Sequence, residues 1–144
     1  MTAPANQQPN AAGRVPPRLE KLTPVMVVDS VEPCIRFWAD RFGFAVTNEV
    51  PGPDGKLIFA SAERDGIEVM YQTRASVLGE MPDAERELAG HSITLFITVD
   101  DLDAVERAVV GAPVVKPRHQ TFYGSTELYV REPGGNTVGF ARFG

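Results

Sequence analysis

The sequence predicts an α+β protein built from two β-α-β-β-β units. The block Val27-Val28-Asp29-Ser30-Val31-Glu32 is echoed about half a chain later by Thr98-Val99-Asp100-Asp101-Leu102-Asp103. Each block ends an apolar strand, supplies a helix-capping residue and opens an amphipathic stretch. Short apolar runs bounded by Gly, Pro, Asn and Asp then follow each helix, as strands joined by turns do. A protein made of two copies of one unit tends to place its working cleft between them.

In the first unit, Leu22 to Val28 is apolar and β-branched and reads as a buried strand. Ser30 is the expected helix cap, and Pro33 is tolerated because it falls in the first turn. Val31, Ile35, Trp38 and Phe42 recur at helical spacing and form the buried stripe. Gly43 ends the helix. Phe44 to Val50 is the second strand, and Pro51-Gly52-Pro53-Asp54-Gly55 is a turn. A third strand runs from Lys56-Leu57 to about Ala62. Arg64-Asp65-Gly66 turns the chain into a fourth, Ile67 to Gln72.

Residues 74–90 read as a linker, within which Asp83 to Leu88 suit a short acidic helix. The second unit repeats the order. Ser92 to Val99 is a strand, Asp100 or Asp101 caps a helix with Leu102, Val105 and Val109 on one face, and Gly111 ends it. Val114-Val115 opens a short strand. In Ser125 to Arg131, Leu128 and Val130 alternate with Glu127 and Tyr129. Glu132-Pro133-Gly134-Gly135-Asn136 is a tight turn, and Thr137 to Phe143 closes the unit.

Composition narrows the function classes. The 144 residues suffice for one well-cored domain, and 43% apolar with 23% charged residues is ordinary for a globular protein. A net charge of -5 argues against nucleic acid as a partner, because phosphate binding needs a basic face. No apolar run approaches the roughly 20 residues that span a bilayer, so no membrane partner is expected. Residues 1–18, rich in Pro, Ala, Asn and Gln, lack the apolar stretch of a secretory signal and are expected to form a disordered tail. The expected domain covers 19–144, with module one at 22–73, a linker at 74–90 and module two at 91–144. Cys34 is the only cysteine, which excludes an intramolecular disulfide and fits a cytoplasmic location.

Several of these residues together resemble the vicinal oxygen chelate superfamily, which holds glyoxalase I, extradiol dioxygenases, and fosfomycin- and bleomycin-resistance proteins. The likeness is carried by Val28-Asp29-Ser30-Val31, Phe37-Trp38, Phe42-Gly43-Phe44, Val99-Asp100-Asp101-Leu102-Asp103, Tyr123-Gly124 and Glu132-Pro133-Gly134-Gly135-Asn136-Thr137-Val138. No single motif is specific; their order and spacing are. The resemblance runs from about Leu22 to the C-terminus. It implies paired modules forming a curled mixed sheet around a cleft, and a homodimer, often with modules exchanged between chains.

Metal-dependent members of that superfamily hold a divalent ion with four His, Glu or Gln side chains from the first and last strands of each module. The matching positions here are Thr23, Thr94, Gly139, and either Glu68 or Met70. Threonine is a poor ligand for Zn, Ni or Fe, and glycine offers no side chain. The metal site, and with it any metal cofactor, is therefore expected to be absent. His91 lies three residues before Thr94, an odd offset that turns it to the other face of a strand. His119 falls in the Pro117-to-Thr121 segment, read as a loop, where surface exposure and ligand contact are both open readings.

Alternation from Thr23 points Val25 and Val27 into the cleft; Thr94, Phe96 and Thr98 do so in the second module. Gly139 leaves room at the floor. Met70 and Gln72 join if Glu68 does, and Phe122, Tyr123 and Tyr129 add aromatic surface near the rim. The expected ligand contacts are thus Thr23, Val25, Met70, Thr94, Phe96, Phe122, Tyr123 and Gly139, with Glu68 the one candidate catalytic base. Plain core packing competes as a reading of Phe59, Phe96, Phe140 and Trp38. Cys34 reads as a small buried hydrophobe.

The function this favours is a metal-free small-molecule-binding protein of the bleomycin-resistance type. It would hold an apolar or aromatic ligand between modules of a dimer. The alternative is a metal-dependent lyase, isomerase or dioxygenase of the same superfamily, which would need ligands such as His91, Glu68, His119 and Glu127. A metal-independent enzyme and a scaffold without a ligand are further readings.

Overall fold

A computed structural model describes residues 8, 9, 11–15, 17, 18, 20–84 and 93–144. The first unit runs β1 (Val25–Val28), α1 (Glu32–Phe42), β2 (Ala45–Pro51), β3 (Leu57–Arg64) and β4 (Ile67–Thr73). Helix α2 (Arg74–Glu80) and a 3-10 turn (Pro82–Ala84) follow. The second unit runs β5 (Thr94–Thr98), α3 (Leu102–Ala108), β6 (Val114–Gln120), β7 (Ser125–Arg131) and β8 (Thr137–Phe143). The sheets have matching orders, β1-β4-β3-β2 and β5-β8-β7-β6. In each, the first strand lies parallel to the last, Val25 beside Met70 and Phe96 beside Gly139. The helix makes that parallel pairing possible by carrying the chain back across one face. The repeat read from the sequence is therefore a repeat of topology.

Local chemistry sets the element ends. β1 begins at Val25 rather than Leu22, since Pro24 has no N–H to give a ladder, although its carbonyl still accepts from Met70 N at 3.0 Å. The α1 cap differs from expectation. Val31 occupies the N-cap position without a side-chain bond, and Ser30 instead receives the Cys34 thiol on its carbonyl at 3.3 Å. Gly43 ends α1 as expected, at φ +67°, donating its N–H to Ala39. Asp65 and Gly66 both have positive φ, as a two-residue type I′ hairpin requires, so β3 reaches Arg64 and pairs it with Ile67. In α3 the capping residue is Asp101, whose carboxylate accepts from Ala104 N at 3.1 Å.

Two elements differ from the sequence reading. The segment read as a linker contains α2, started by the Thr73 hydroxyl, which accepts from Ser76 N. The expected helix over Asp83 to Leu88 lies mostly outside the described residues. His119 lies within β6, which continues through Pro117 to Gln120 with irregular pairing to β7. Pro117 is tolerated there because β6 is an edge strand.

One apolar core fills the space between the helices and the covered faces of both sheets. It draws Met26, Trp38 and Tyr71 from the first unit and Leu128, Val138 and Phe140 from the second. Each large side chain fully buried there is worth about 1.5–3 kcal/mol. Phe42 of α1 stacks on Phe140 of β8, ring centroids 5.3 Å apart. The indole N–H of Trp38 donates to the Tyr71 hydroxyl, which donates to Glu132 Oε2, each at 2.9 Å, so a buried polar chain crosses from one unit to the other. The Arg41 guanidinium adds bonds to the carbonyls of Ala108 and Val110 at the end of α3. Among the described residues no helix is long and apolar enough to cross a membrane.

Candidate functional site

Each sheet packs one face against the helices and the core and leaves the other face open. On the first sheet, strand alternation places Thr23, Val25 and Val27 beside Glu68, Met70 and Gln72, with Met26 and Val28 buried behind them. Glu68 Oε1 accepts from Lys21 Nζ at 2.6 Å and from Thr23 Oγ1 at 3.4 Å. The candidate base is thus in an ion pair with a lysine.

On the second sheet, Thr94, Phe96 and Thr98 are exposed, while Leu95 and Ile97 pack against the core. Gly139 lies between Phe96 on β5 and Tyr129 on β7. It does not leave an open floor: a Cβ there would stand 2.3 Å from Tyr129 Cε1, so the tyrosine ring fills the space a side chain would take.

Tyr129 is held by a carboxylate that the sequence reading offered only as an alternative ligand. Glu127, 1% exposed, accepts from the Tyr123 hydroxyl at 2.6 Å, Ser125 Oγ at 2.6 Å and the Tyr129 hydroxyl at 2.8 Å. Burial pushes its pKa up, but the bonds from Ser125, Tyr123 and Tyr129 outweigh that, and it ends below the ordinary value. The Tyr129 phenol is pushed up to about 12, first by burial and then by its bond to Glu127. His119 sits opposite Glu127 in the β6–β7 register and stacks on Tyr129. The signal in the sequence was period-two spacing: Ser125, Glu127 and Tyr129 must share one face.

Around this cluster is a pocket of about 530 Å³, lined by Lys116, His119, Phe122, Tyr123, Glu127 and Tyr129 among others. A second pocket of about 560 Å³ lies on the helix side between the units, beside Arg41, Phe42, Asp101 and Phe140. Of the ligand contacts expected from the sequence, Phe122 and Tyr123 line the first pocket and none lines the second. Neither pocket joins Thr23, Val25 and Met70 to Thr94, Phe96 and Gly139, which occupy the open faces of different sheets. Phe96 is half exposed and outside the core, whereas Phe140 and Trp38 are core.

At Thr23, Thr94, Glu68 and Gly139, the positions the resemblance assigns to metal ligands, the donors present do not fit a transition metal. Two are threonines, Glu68 is engaged by Lys21, and the place of a side chain at Gly139 is taken by Tyr129. Among the described residues no three His, Cys, Asp or Glu side chains gather as a metal site. His91 lies outside the described residues.

Paired β-α-β-β-β units with an open face on each sheet define a class of two-module α+β proteins. Residues 21–140 match the family profile, and the chain belongs to the Glyoxalase/Bleomycin resistance protein/Dioxygenase superfamily. An uncharacterized protein of Mycobacterium bovis is 34% identical over 118 residues, covering 80% of this chain and 78% of that protein. One from Mycobacterium tuberculosis H37Rv has the same identity, with 69% of its own length covered. Among solved structures, TioX from Micromonospora sp. ML1 has a TM-score of 0.69 at 19% identity, covering 86% of this chain and 98% of its own. Lactoylglutathione lyase from Agrobacterium tumefaciens has a TM-score of 0.64 at 18% identity, covering 88% and 95%. At these identities the solved structures establish the fold alone.

Proposed function

We propose that this chain is a metal-free, small-molecule-binding member of the superfamily. It takes an apolar or aromatic ligand against the open faces of its sheets, in a cleft completed by a homodimer. The observation that carries the reading is at Gly139. Metal-dependent relatives need a side-chain ligand there, and here the adjacent Tyr129 ring occupies that space. Thr23, just before β1, and Thr94, at the start of β5, give the same message. Exposed Val25 and Phe96 supply apolar surface for a ligand or a second copy. The buried thiol of Cys34 suits a reducing cytoplasm.

The test is metal analysis of the full chain purified without chelators, with light scattering on the same sample. A dimer holding well under one metal ion per two chains is expected. A stoichiometric divalent ion overturns the metal-free reading, and a monomer at tens of micromolar overturns the dimeric cleft.

A further inference from the structure

We propose that the pocket between β6, β7 and the 121–124 turn recognises an organic cation, an aromatic or apolar group bearing a protonated amine. The inference rests on the small-molecule reading above and names the ligand class for one part of the open face.

The pocket's less exposed polar groups, Glu127 and His119, offer acceptors, while the donors of its lining, Lys116 and Gln120, are on exposed side chains. Glu127 Oε2 already takes two hydroxyl protons, from Tyr123 and Ser125, whereas Oε1 takes one, from Tyr129. A carboxylate offers about four lone-pair sites, so acceptor capacity remains on Oε1. His119 Nδ1 lies 2.8 Å from the Pro117 carbonyl. A carbonyl can only accept, so Nδ1 carries a proton, and Nε2 is the ring nitrogen left for a ligand. The phenolic protons of Tyr123 and Tyr129 and the Ser125 proton are all directed at Glu127, so none is free for an anion.

The walls suit the same ligand. Phe122 and Tyr123 meet edge to face at 5.1 Å, and His119 stacks on Tyr129 at 6.1 Å. The face of an aromatic ring is electron-rich and attracts an ammonium group. Lys116, the cationic lysine of the lining, is solvent-exposed, and its long stem lets the ammonium stay in water. Glu127 is covered on the outside by Tyr123, which is half exposed and precedes Gly124 at φ +94°. A ligand amine that takes the place of that phenol bonds Oε2, and the displaced Tyr123 hydroxyl turns to solvent. The pocket volume, about 530 Å³, lies within the ordinary range for small-molecule sites.

The experiment is an amide chemical-shift titration of the full chain at pH 7 with three probes of one shape: benzylammonium, benzyl alcohol and benzoate. Benzylammonium should shift residues 116–129 and bind about tenfold or more tightly than benzyl alcohol, with benzoate weakest and the preference reduced by added salt. Glu127→Gln should abolish the preference. Equal binding of benzylammonium and benzyl alcohol at this face overturns the cation inference and leaves the small-molecule reading intact. Stronger binding of benzoate, shifts confined to other residues, or a preference that survives Glu127→Gln also overturns it. No binding of any probe to either open face counts against both readings. If Glu127→Gln does not fold, the three-probe comparison on the unaltered chain decides alone.

Discussion

Tyr71→Phe tests the link between the units. The substitution removes one oxygen and leaves the ring, so it opens no cavity of note in a side chain that is 0% exposed. That oxygen accepts from Trp38 Nε1 and donates to Glu132 Oε2. Without it, the indole N–H of a fully buried tryptophan has no acceptor, at a cost of about 1–3 kcal/mol. Glu132 loses one donor but keeps the backbone N–H groups of Gly134 and Asn136. A hydrogen bond to a charged group contributes about 1.5–3 kcal/mol, and the two losses overlap, so the total should be about 2–4 kcal/mol. Urea unfolding followed by circular dichroism reads this as a fall in midpoint of about 1–2 M at ordinary urea slopes. The double-mutant cycle with Glu132→Gln should give a coupling above about 0.5 kcal/mol. A Tyr71→Phe effect below about 0.5 kcal/mol would refute the claim that this chain of bonds helps hold the units together.

Further outcomes follow from the same structure. Gly139→Ala should destabilise by about 1–3 kcal/mol through overpacking against Tyr129, and Tyr129→Ala should relieve the clash; a neutral Gly139→Ala melt would count against the packing described. The Cys34 thiol, pushed up to about 12 by burial and then by Glu132, should resist a thiol reagent at pH 8 until the chain unfolds; rapid labelling of native protein would contradict this. Glu127 has a lowered folded pKa, so its stabilisation is present above the unfolded value, near 4.5, and is lost as pH falls through the folded value. The stability gap between the unaltered chain and Glu127→Gln should therefore narrow as pH falls below the unfolded value; a gap independent of pH would show that the charge contributes nothing.

The backbone plan was legible because it rests on local signals. Val27-Val28-Asp29 and Thr98-Val99-Asp100 mark matching strand ends, and Gly43 and Asp65-Gly66 mark turns whose backbone geometry those residues favour. Helix α2 was less visible because it buries only Val77 and so has almost no apolar stripe. Pro117 to Thr121 reads as a loop in the sequence, and only the sheet order reveals that β6 is an edge where proline is tolerated. At the candidate site, alternation placed Thr23, Val25 and Thr94 on open faces. The packing of Tyr129 over Gly139 and the three hydroxyls on Glu127 depend on strand register and side-chain rotamers, which a single sequence does not display. Glu132 looked like a turn residue, and its bond to Tyr71 spans 61 positions of chain.

The stack of Phe42 on Phe140 bears on the order of assembly. β1 to β4 can pair as soon as the first half of the chain exists, since their contacts are comparatively local. Phe42 meets Phe37 and Trp38 within α1, but the ring it stacks on, Phe140, comes from β8 of the second unit. During translation the first half waits with the face of Phe42 that Phe140 covers left open, and with the Trp38–Tyr71 pair lacking Glu132. Such long-range closure slows folding and lengthens the exposure of apolar surface. Two halves that began alike are thereby bound to one folding event, and expressing either alone should yield an aggregation-prone fragment.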